Sequence, residues 1–480
     1  MSYMIKSFLV WHKRFALFAC VPFMLWAASG LLHPFMSHFT KAERIIPQPV
    51  TINSAAIAHY VPLDRVLEKH AIFAFSHASL VDYQNRYYYQ ISQNVNGELH
   101  TKYFDIETAE LSHDLSDAVY AEYLATKWSG KTTRSIHKLT TFTFGYSKIN
   151  RILPVYKMEL ADKSLIYIDT LGKRIAAHNT PLRESVSYWF GQLHTFSFLG
   201  NTHDLTRIVP MLVISVSLFL MALSGVVAYS LLWRKIKDTR YSKQRLHRLF
   251  GISLSVCLLG FSTSSMHILI DKLFPETFRQ IVPSNTLSSK QLKHDPINSL
   301  RKSGGHNFQL VNIHGEMISQ IVHFQKRSRS FSYWQQSQLK LNDLALVETI
   351  LAQQLNLSAP IETWQKVDKF GPSYAFINKR LPVVQVTFDN DPTIYSVEVH
   401  TGYIAAIDTP WQQARSWHFG YLHKYHFLNP IGKGLRDSII TLIIIALLST
   451  TILGLLLYIS RYKRRATLTK RRSTFNQINN

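Results

Sequence analysis

Four stretches of the chain are almost wholly apolar: residues 15–36, 208–233, about 250–270 and about 439–459. Each is long enough to cross a hydrocarbon layer about 30 Å thick, which takes roughly 20 helical residues at 1.5 Å rise. None carries Asp, Glu, Lys or Arg in its middle, which disfavours buried helices of a soluble protein. Four transmembrane helices are therefore predicted. The first stretch exceeds the apolar core of an ordinary signal peptide. Ala27-Ala28-Ser29 loosely resembles a cleavage site, but an uncleaved anchor fits the four-helix count better.

Between the apolar stretches the pattern changes period. Tyr87-Tyr88-Tyr89-Gln90-Ile91-Ser92, Ser164-Leu165-Ile166-Tyr167-Ile168-Asp169 and Val383-Val384-Gln385-Val386-Thr387-Phe388 read as half-buried strands. Residues 344–357 read as a helix. The two long polar segments are each large enough to fold alone and are expected to be α+β with antiparallel sheet.

The predicted order is an N-terminus and first helix (1–36), a domain (37–206), a second helix (207–233), a basic loop (234–248), a third helix (249–270), a second domain (271–435), a fourth helix (436–460) and a basic tail (461–480). The fold class is thus a membrane α-helical bundle of four transmembrane helices carrying two α+β domains.

The order repeats. Phe190-Gly191-Gln192-Leu193-His194 parallels Phe419-Gly420-Tyr421-Leu422-His423. Thirteen residues after each His comes an Arg (Arg207, Arg436), and thirty-one after each comes a Gly (Gly225, Gly454). Trp11-His12-Lys13-Arg14-Phe15 parallels Leu246-His247-Arg248-Leu249-Phe250. The unit is helix, α+β domain, helix, occurring twice.

Charge orients the bundle. The net charge of +23 is concentrated beside the helix ends. Residues 234–248 hold seven basic residues and one Asp, the tail 461–480 seven and no acid, and the N-terminus Lys6, Lys13 and Arg14. This positive-inside pattern puts both termini and the middle loop in the cytoplasm and the two α+β domains outside, in the periplasm of a bacterium. The same clusters favour a lipid bilayer with anionic headgroups. No nucleic-acid-reading module accompanies them. The two cysteines, Cys20 and Cys257, lie inside apolar stretches, which excludes a disulfide framework and a cysteine zinc site. Dinucleotide, P-loop, His-Glu-x-x-His and Gly-x-Ser-x-Gly motifs are missing, so electrons, if they move, come from a partner.

The candidate chemistry lies in histidines at membrane depth, where an ionisable residue is costly and a functional candidate by default. His12 and His247 sit at the cytoplasmic ends of the first and third helices, and His33 and His267 near their outer ends. Neutral imidazole is a good axial ligand for haem iron, and facing helices of a bundle supply such pairs. His12 and His33 are 21 residues apart, within about 60° of one face. His247 and His267 are 20 apart, about 160° from one another. That predicts either a kink or unwinding near Ser262-Thr263-Ser264-Ser265, or a different ligand role for His267. His194 and His423 compete for the outer position. His418, His423 and His426 are an alternative metal cluster, and interfacial anchoring is the bland use of any one of these side chains.

With these motifs in place, the chain resembles the PepSY-associated transmembrane family of bacteria. The His-led helix entry, the strand turn that recurs at Ile166–Lys173 and, with a one-residue slip, at Val397–Ile404, and the Phe-Gly-x-Leu-His approach to the next helix carry the resemblance. It covers nearly the whole chain and implies PepSY-like periplasmic domains. It further implies an inner-membrane ferrisiderophore reductase with haem b, two groups per chain, held by His12, His33, His247 and His267, with His194 and His423 as periplasmic motif positions. A cytoplasmic reductase or quinol would supply electrons, and a ferric siderophore would accept them. The alternative function is a membrane-anchored PepSY binding or regulatory protein, for example in peptidase control, without redox activity. A transporter is disfavoured because the repeat is parallel and no charged residue lies at a helix midplane.

Overall fold

The computed structural model describes residues 2–47, 52, 57–96, 98–143, 145–147, 150–232, 242–274, 286–325, 328–334, 341–371, 374–375 and 378–478. Residues 234–241 of the predicted basic loop lie outside them. The first half of the chain runs α1 (Ser2–Gly30), α2 (Leu32–Phe39), α3 (Leu63–Lys69), β1 (Ala74–Phe75), β2 (His77–Tyr83), β3 (Arg86–Val95), β4 (Glu98–Asp105), α4 (Asp117–Ser129), β5 (Thr133–Leu139), β6 (Val155–Leu160), β7 (Leu165–Asp169), β8 (Arg174–Asn179), α5 (Pro181–Thr195) and α6 (Leu205–Leu232). The second half runs α7 (Ser242–Asp271), β9 (Leu287–Ser288), α8 (Pro296–Ser303), β10 (Asn307–Ile313), β11 (Glu316–Gln325), β12 (Ser328–Trp334), α9 (Asp343–Leu355), β13 (Ile361–Val367), β14 (Val383–Phe388), β15 (Asp391–Glu398), β16 (Tyr403–Asp408), α10 (Pro410–His418) and α11 (Lys433–Ile478). The chain divides into a helical unit (1–41, 182–276, 411–480) and a sheet unit (42–181, 277–410).

Among the described residues of the helical unit four spans are long and apolar enough to cross a membrane: Lys6–Phe39, Leu205–Leu232, Lys243–Asp271 and Lys433–Leu468. α1 packs on α6, α6 on α7, α7 on α11 and α11 back on α1, closing a ring. Small or hydroxylated side chains face inward, including Ala19, Ser215, Ala222 and Ser264, while Phe18, Val21, Val256 and Leu442 are exposed. That is the distribution expected where helix backbones approach closely and large apolar groups face lipid. α7 is one continuous helix. The Ser262 and Thr263 hydroxyls donate back to carbonyls of the preceding turn at 2.8 Å, a bond that satisfies a hydroxyl without breaking the helix. The unwinding considered for this stretch is not formed.

The sheet unit is built from both polar segments, which share two sheets, the two-stranded β1-β9 and a six-stranded one. Its six-stranded sheet runs β12-β11-β10-β2-β3-β4. β2 and β10 join the halves antiparallel at Ser79 and Gln309. One face is covered by α3 and α8, whose Leu63, Val66, Ile297 and Leu300 pack with Tyr89, Ile91 and Phe308. On the other face Tyr88 and Tyr103 join α4 through Tyr120 and Leu124. Burial of both faces explains why the tyrosine run in β3 is buried almost throughout where half-burial was expected.

Two four-stranded sheets, β5-β6-β7-β8 and β13-β14-β15-β16, complete the unit. Each follows a capped helix: Ser116 accepts from the Val119 N–H at the start of α4, and Asn342 from the Ala345 N–H at the start of α9. α4 with β5–β8 and α9 with β13–β16 are the two copies of the repeat. Arg174 of β8 joins them: its Nε donates to Asp169 at 2.8 Å and its Nη2 to Glu398 at 3.0 Å. Arg380 donates to the same Glu398 at 2.7 Å.

Candidate functional site: two histidine pairs at the repeat interface

Within the helical unit the repeat has two registers. α1 and α7 align with an offset of 235 residues, which matches His12 to His247. α5–α6 and α10–α11 align with an offset of 229, which matches His194 to His423. In each case the two repeat mates meet across the interface between the copies.

His12 and His247 face one another with ring centroids 6.5 Å apart. His12 Nδ1 lies 2.9 Å from the Met221 carbonyl and His247 Nδ1 3.2 Å from the Thr450 carbonyl. A carbonyl only accepts, so each Nδ1 carries the proton and each Nε2 keeps its lone pair. Met221 and Thr450 are themselves repeat mates. So are Gly225 and Gly454, which make room for the rings. A Cβ on Gly225 would stand 3.1 Å from His12 Cε1, and one on Gly454 2.9 Å from His247 Cε1. The repeated glycines are thus explained by close approach of an imidazole to a helix backbone.

His194 and His423 form the second pair, with centroids 6.4 Å apart and ring planes at 83°. His194 comes from the last turn of α5, and His423 from the π-helical turn Phe419–His423 that follows α10. His194 Nδ1 is 3.2 Å from both the Trp26 carbonyl and the Ser29 hydroxyl. His423 Nδ1 is 3.4 Å from the Ser264 hydroxyl. Ser29 and Ser264 are mates at the 235-residue offset. Phe190 stacks on His194 at 4.7 Å and Phe419 lies 5.1 Å from His423. Behind them Trp26 meets Phe196 at 5.5 Å and Phe261 meets Tyr425 at 5.6 Å. Phe196 and Tyr425 both adopt left-handed backbone, φ 51° and 49°, so the sharp chain reversal recurs residue for residue. Burial lowers the pKa of His194 to about 4 and of His423 to about 3, leaving both neutral, the form that ligates metal.

The pair geometry can be tested against a metal between the rings. An imidazole nitrogen to metal bond of about 2.0 Å places two opposed ring centroids roughly 6.3 Å apart, by the size of the ring. Both pairs are at that separation. Their Nδ1 partners are of the kind that orient a ligating imidazole. The spacing of the rings in each pair is therefore the one that bis-imidazole ligation of a single iron requires. Trp26, whose carbonyl holds His194, is fourteen residues beyond His12 on α1, about 21 Å along the helix.

His33 and His267 are not brought together. His33 is exposed in α2 and packs near Phe190 at 6.2 Å. His267 Nδ1 meets His418 Nδ1 at 2.7 Å, with the Trp411 ring 4.1 Å away. At the 235-residue offset the mate of His33 is Ile268, and that of His267 is Leu32. Their positions near helix ends are alike, but they are not equivalent. Sequence reasoning missed Ser29, Ser264, Met221 and Thr450, although each pair stands at one of the two repeat offsets. His426 approaches Gly420 rather than His418. Among the described residues no group of three or more His, Cys, Asp and Glu is arranged to hold a metal ion.

No protein-family model matches the chain, and no curated protein matches its sequence.

Proposed function

We propose that the helical unit is a two-haem electron conduit, with His12 and His247 holding one haem b and His194 and His423 the other. The observation that carries this reading is the recurrence, at two levels of one bundle, of mated histidines separated by the span of a single metal. Bis-imidazole haem iron exchanges one electron without a change of ligands. The chain's own residues do the rest. Met221 and Thr450 fix the imidazole tautomer of the first pair and the Trp26 carbonyl that of His194, while the Ser29 and Ser264 hydroxyls, which can donate or accept, help to orient the rings of the second pair. The glycine notches set how near the rings lie to the helix axes.

The basic flanks support a bacterial inner-membrane protein with both termini in the cytoplasm. In that orientation a haem held by His12 and His247 would take electrons from a cytoplasmic reductase or from quinol. One held by His194 and His423 would pass them on at the periplasmic side, and the sheet unit is read as PepSY-like. The acceptor is ferric siderophore. One electron converts Fe(III) to Fe(II), a less highly charged and softer ion that hard oxygen ligands hold less tightly, which frees iron for uptake.

Anaerobic mixing of dithionite-reduced protein with a ferric siderophore and a ferrous-specific chelator tests this. The expected result is haem reoxidation matched by ferrous complex. Reduced haem that persists in excess ferric siderophore would sink the reductase reading and favour the anchored binding protein.

A further inference from the structure

The His194/His423 pair lies beside a concentration of positive charge that haem ligation leaves unexplained. Lys424 follows His423 directly, and its ammonium stands 4.9 Å from the Phe419 ring that flanks His423. Its charged neighbours are Arg436, Lys433 and Asp437. Lys433 opens α11 and lies within electrostatic reach of Lys41, Arg183 and Arg436. Arg183 is fixed at the end of α2 by donation to the Met36 carbonyl at 3.1 Å. His33, on the same helix, is within electrostatic reach of Lys424, Lys433 and His194. The one carboxylate in this set, Asp437, is held by Arg436 at 2.8 Å and by His38 at 2.8 Å. Among the described residues Lys41, Lys424, Lys433 and Arg436 thus gather around this carboxylate. Arg207, the repeat mate of Arg436, instead donates to the Thr195 carbonyl at 2.6 Å, and the mates of Lys424 and Lys433 are Thr195 and Asp204. The charge is an asymmetric addition to a symmetric frame. Like charges gathered at one surface focus an attractive field for anions.

We infer that Lys41, Arg183, Lys424, Lys433 and Arg436 form a docking surface that selects ferric chelates of net negative charge for reduction at the His194/His423 pair. The inference rests on the electron-conduit reading. Carboxylates could also come from the haem itself, so the test separates the two sources.

Haem-loaded full chain in detergent is reduced and mixed with ferric EDTA, an anion, or with neutral ferric tris-maltolate. Calorimetry with redox-inert gallium EDTA measures docking without turnover. The expected oxidation rate with ferric EDTA falls steeply as salt is raised, and with the neutral chelate it does not. Lys424→Gln with Lys433→Gln lowers the anion rate about tenfold relative to the neutral one and weakens gallium EDTA binding by a similar factor. Lys41→Gln with Lys433→Gln, both at exposed positions, serves should the first pair fail to fold. Equal rates and equal salt dependence for the two chelates would overturn the inference. So would loss of haem in step with loss of rate, which would assign the cations to the haem carboxylates. If neither chelate oxidises loaded protein, the conduit reading falls, while gallium EDTA binding still judges the surface.

Discussion

On the proposed haem reading an imidazole has to be held in one tautomer and at one depth, and the two requirements fall on different neighbours. The Met221 and Thr450 carbonyls set the tautomer of His12 and His247, and the absence of a side chain at Gly225 and Gly454 sets the depth. Gly454→Ala is predicted to displace His247, because a Cβ at 2.9 Å from its Cε1 is nearer than such atoms pack. Haem content should fall by about half, with the loss confined to the His12/His247 pair. Gly225→Ala should act in the same direction less severely, its contact being 3.1 Å. Gly251→Ala, which meets nothing within 4 Å, is the control. Pyridine haemochrome quantitation measures all three. Retention of full haem by Gly454→Ala would show that His247 does not ligate at this depth.

The residue-level pattern was half legible in the sequence. His12, His247, His194 and His423 all stand in matched motifs, and so do the glycines and arginines. Less legible was the register of His33 and His267, which occupy similar helix ends but differ by one residue, and on a helix one residue is about 100°. The serines that support the second pair carried no signal of their own, since serine is common wherever transmembrane helices pack.

Among elements, the apolar spans and the strands at Leu165–Asp169 and Val383–Phe388 followed directly from their patterns. The shared six-stranded sheet did not, because β2 and β10 are more than 200 residues apart and pair through a single register point. Local periodicity says nothing about such a contact. Its consequences can be measured. Burial raises the Glu398 pKa, but Arg174 and Arg380 outweigh it and hold the carboxyl well below its ordinary value. Glu398→Gln leaves two buried guanidinium groups without their shared anion, so it should destabilise the sheet unit by about 3–5 kcal/mol, read by urea denaturation followed through tyrosine fluorescence. A change below 1 kcal/mol would contradict the network's role.

Lys173, in the turn between β7 and β8, donates to the Leu80 carbonyl of β2 at 2.9 Å, and burial lowers its pKa to about 7. The unfolded chain holds that proton to about pH 10.4. Between pH 7 and 10 the unfolded state thus binds more protons, and stability should rise with pH. Lys173→Met should flatten that rise in the melting temperature, and an unchanged profile would show that Lys173 is not desolvated.

At the scale of the whole molecule, two copies of one unit meet so that each pair of mated histidines lies where the copies touch. On the proposed reading, a duplicated chain would obtain a two-ligand site in this way without evolving two different ligands. The His267/His418 contact and the cations around Lys433 are the departures from that symmetry, and they are where specificity would be added. The most direct measurement is the optical spectrum of the detergent-purified protein, oxidised and then dithionite-reduced, for the parent and for His12→Ala, His247→Ala, His194→Ala and His423→Ala. The account predicts a sharp Soret shift with α and β bands and about two haems per chain, with one haem lost in each variant and none in His33→Ala. A colourless protein from haem-replete cells, or full haem retention in all four variants, would contradict it.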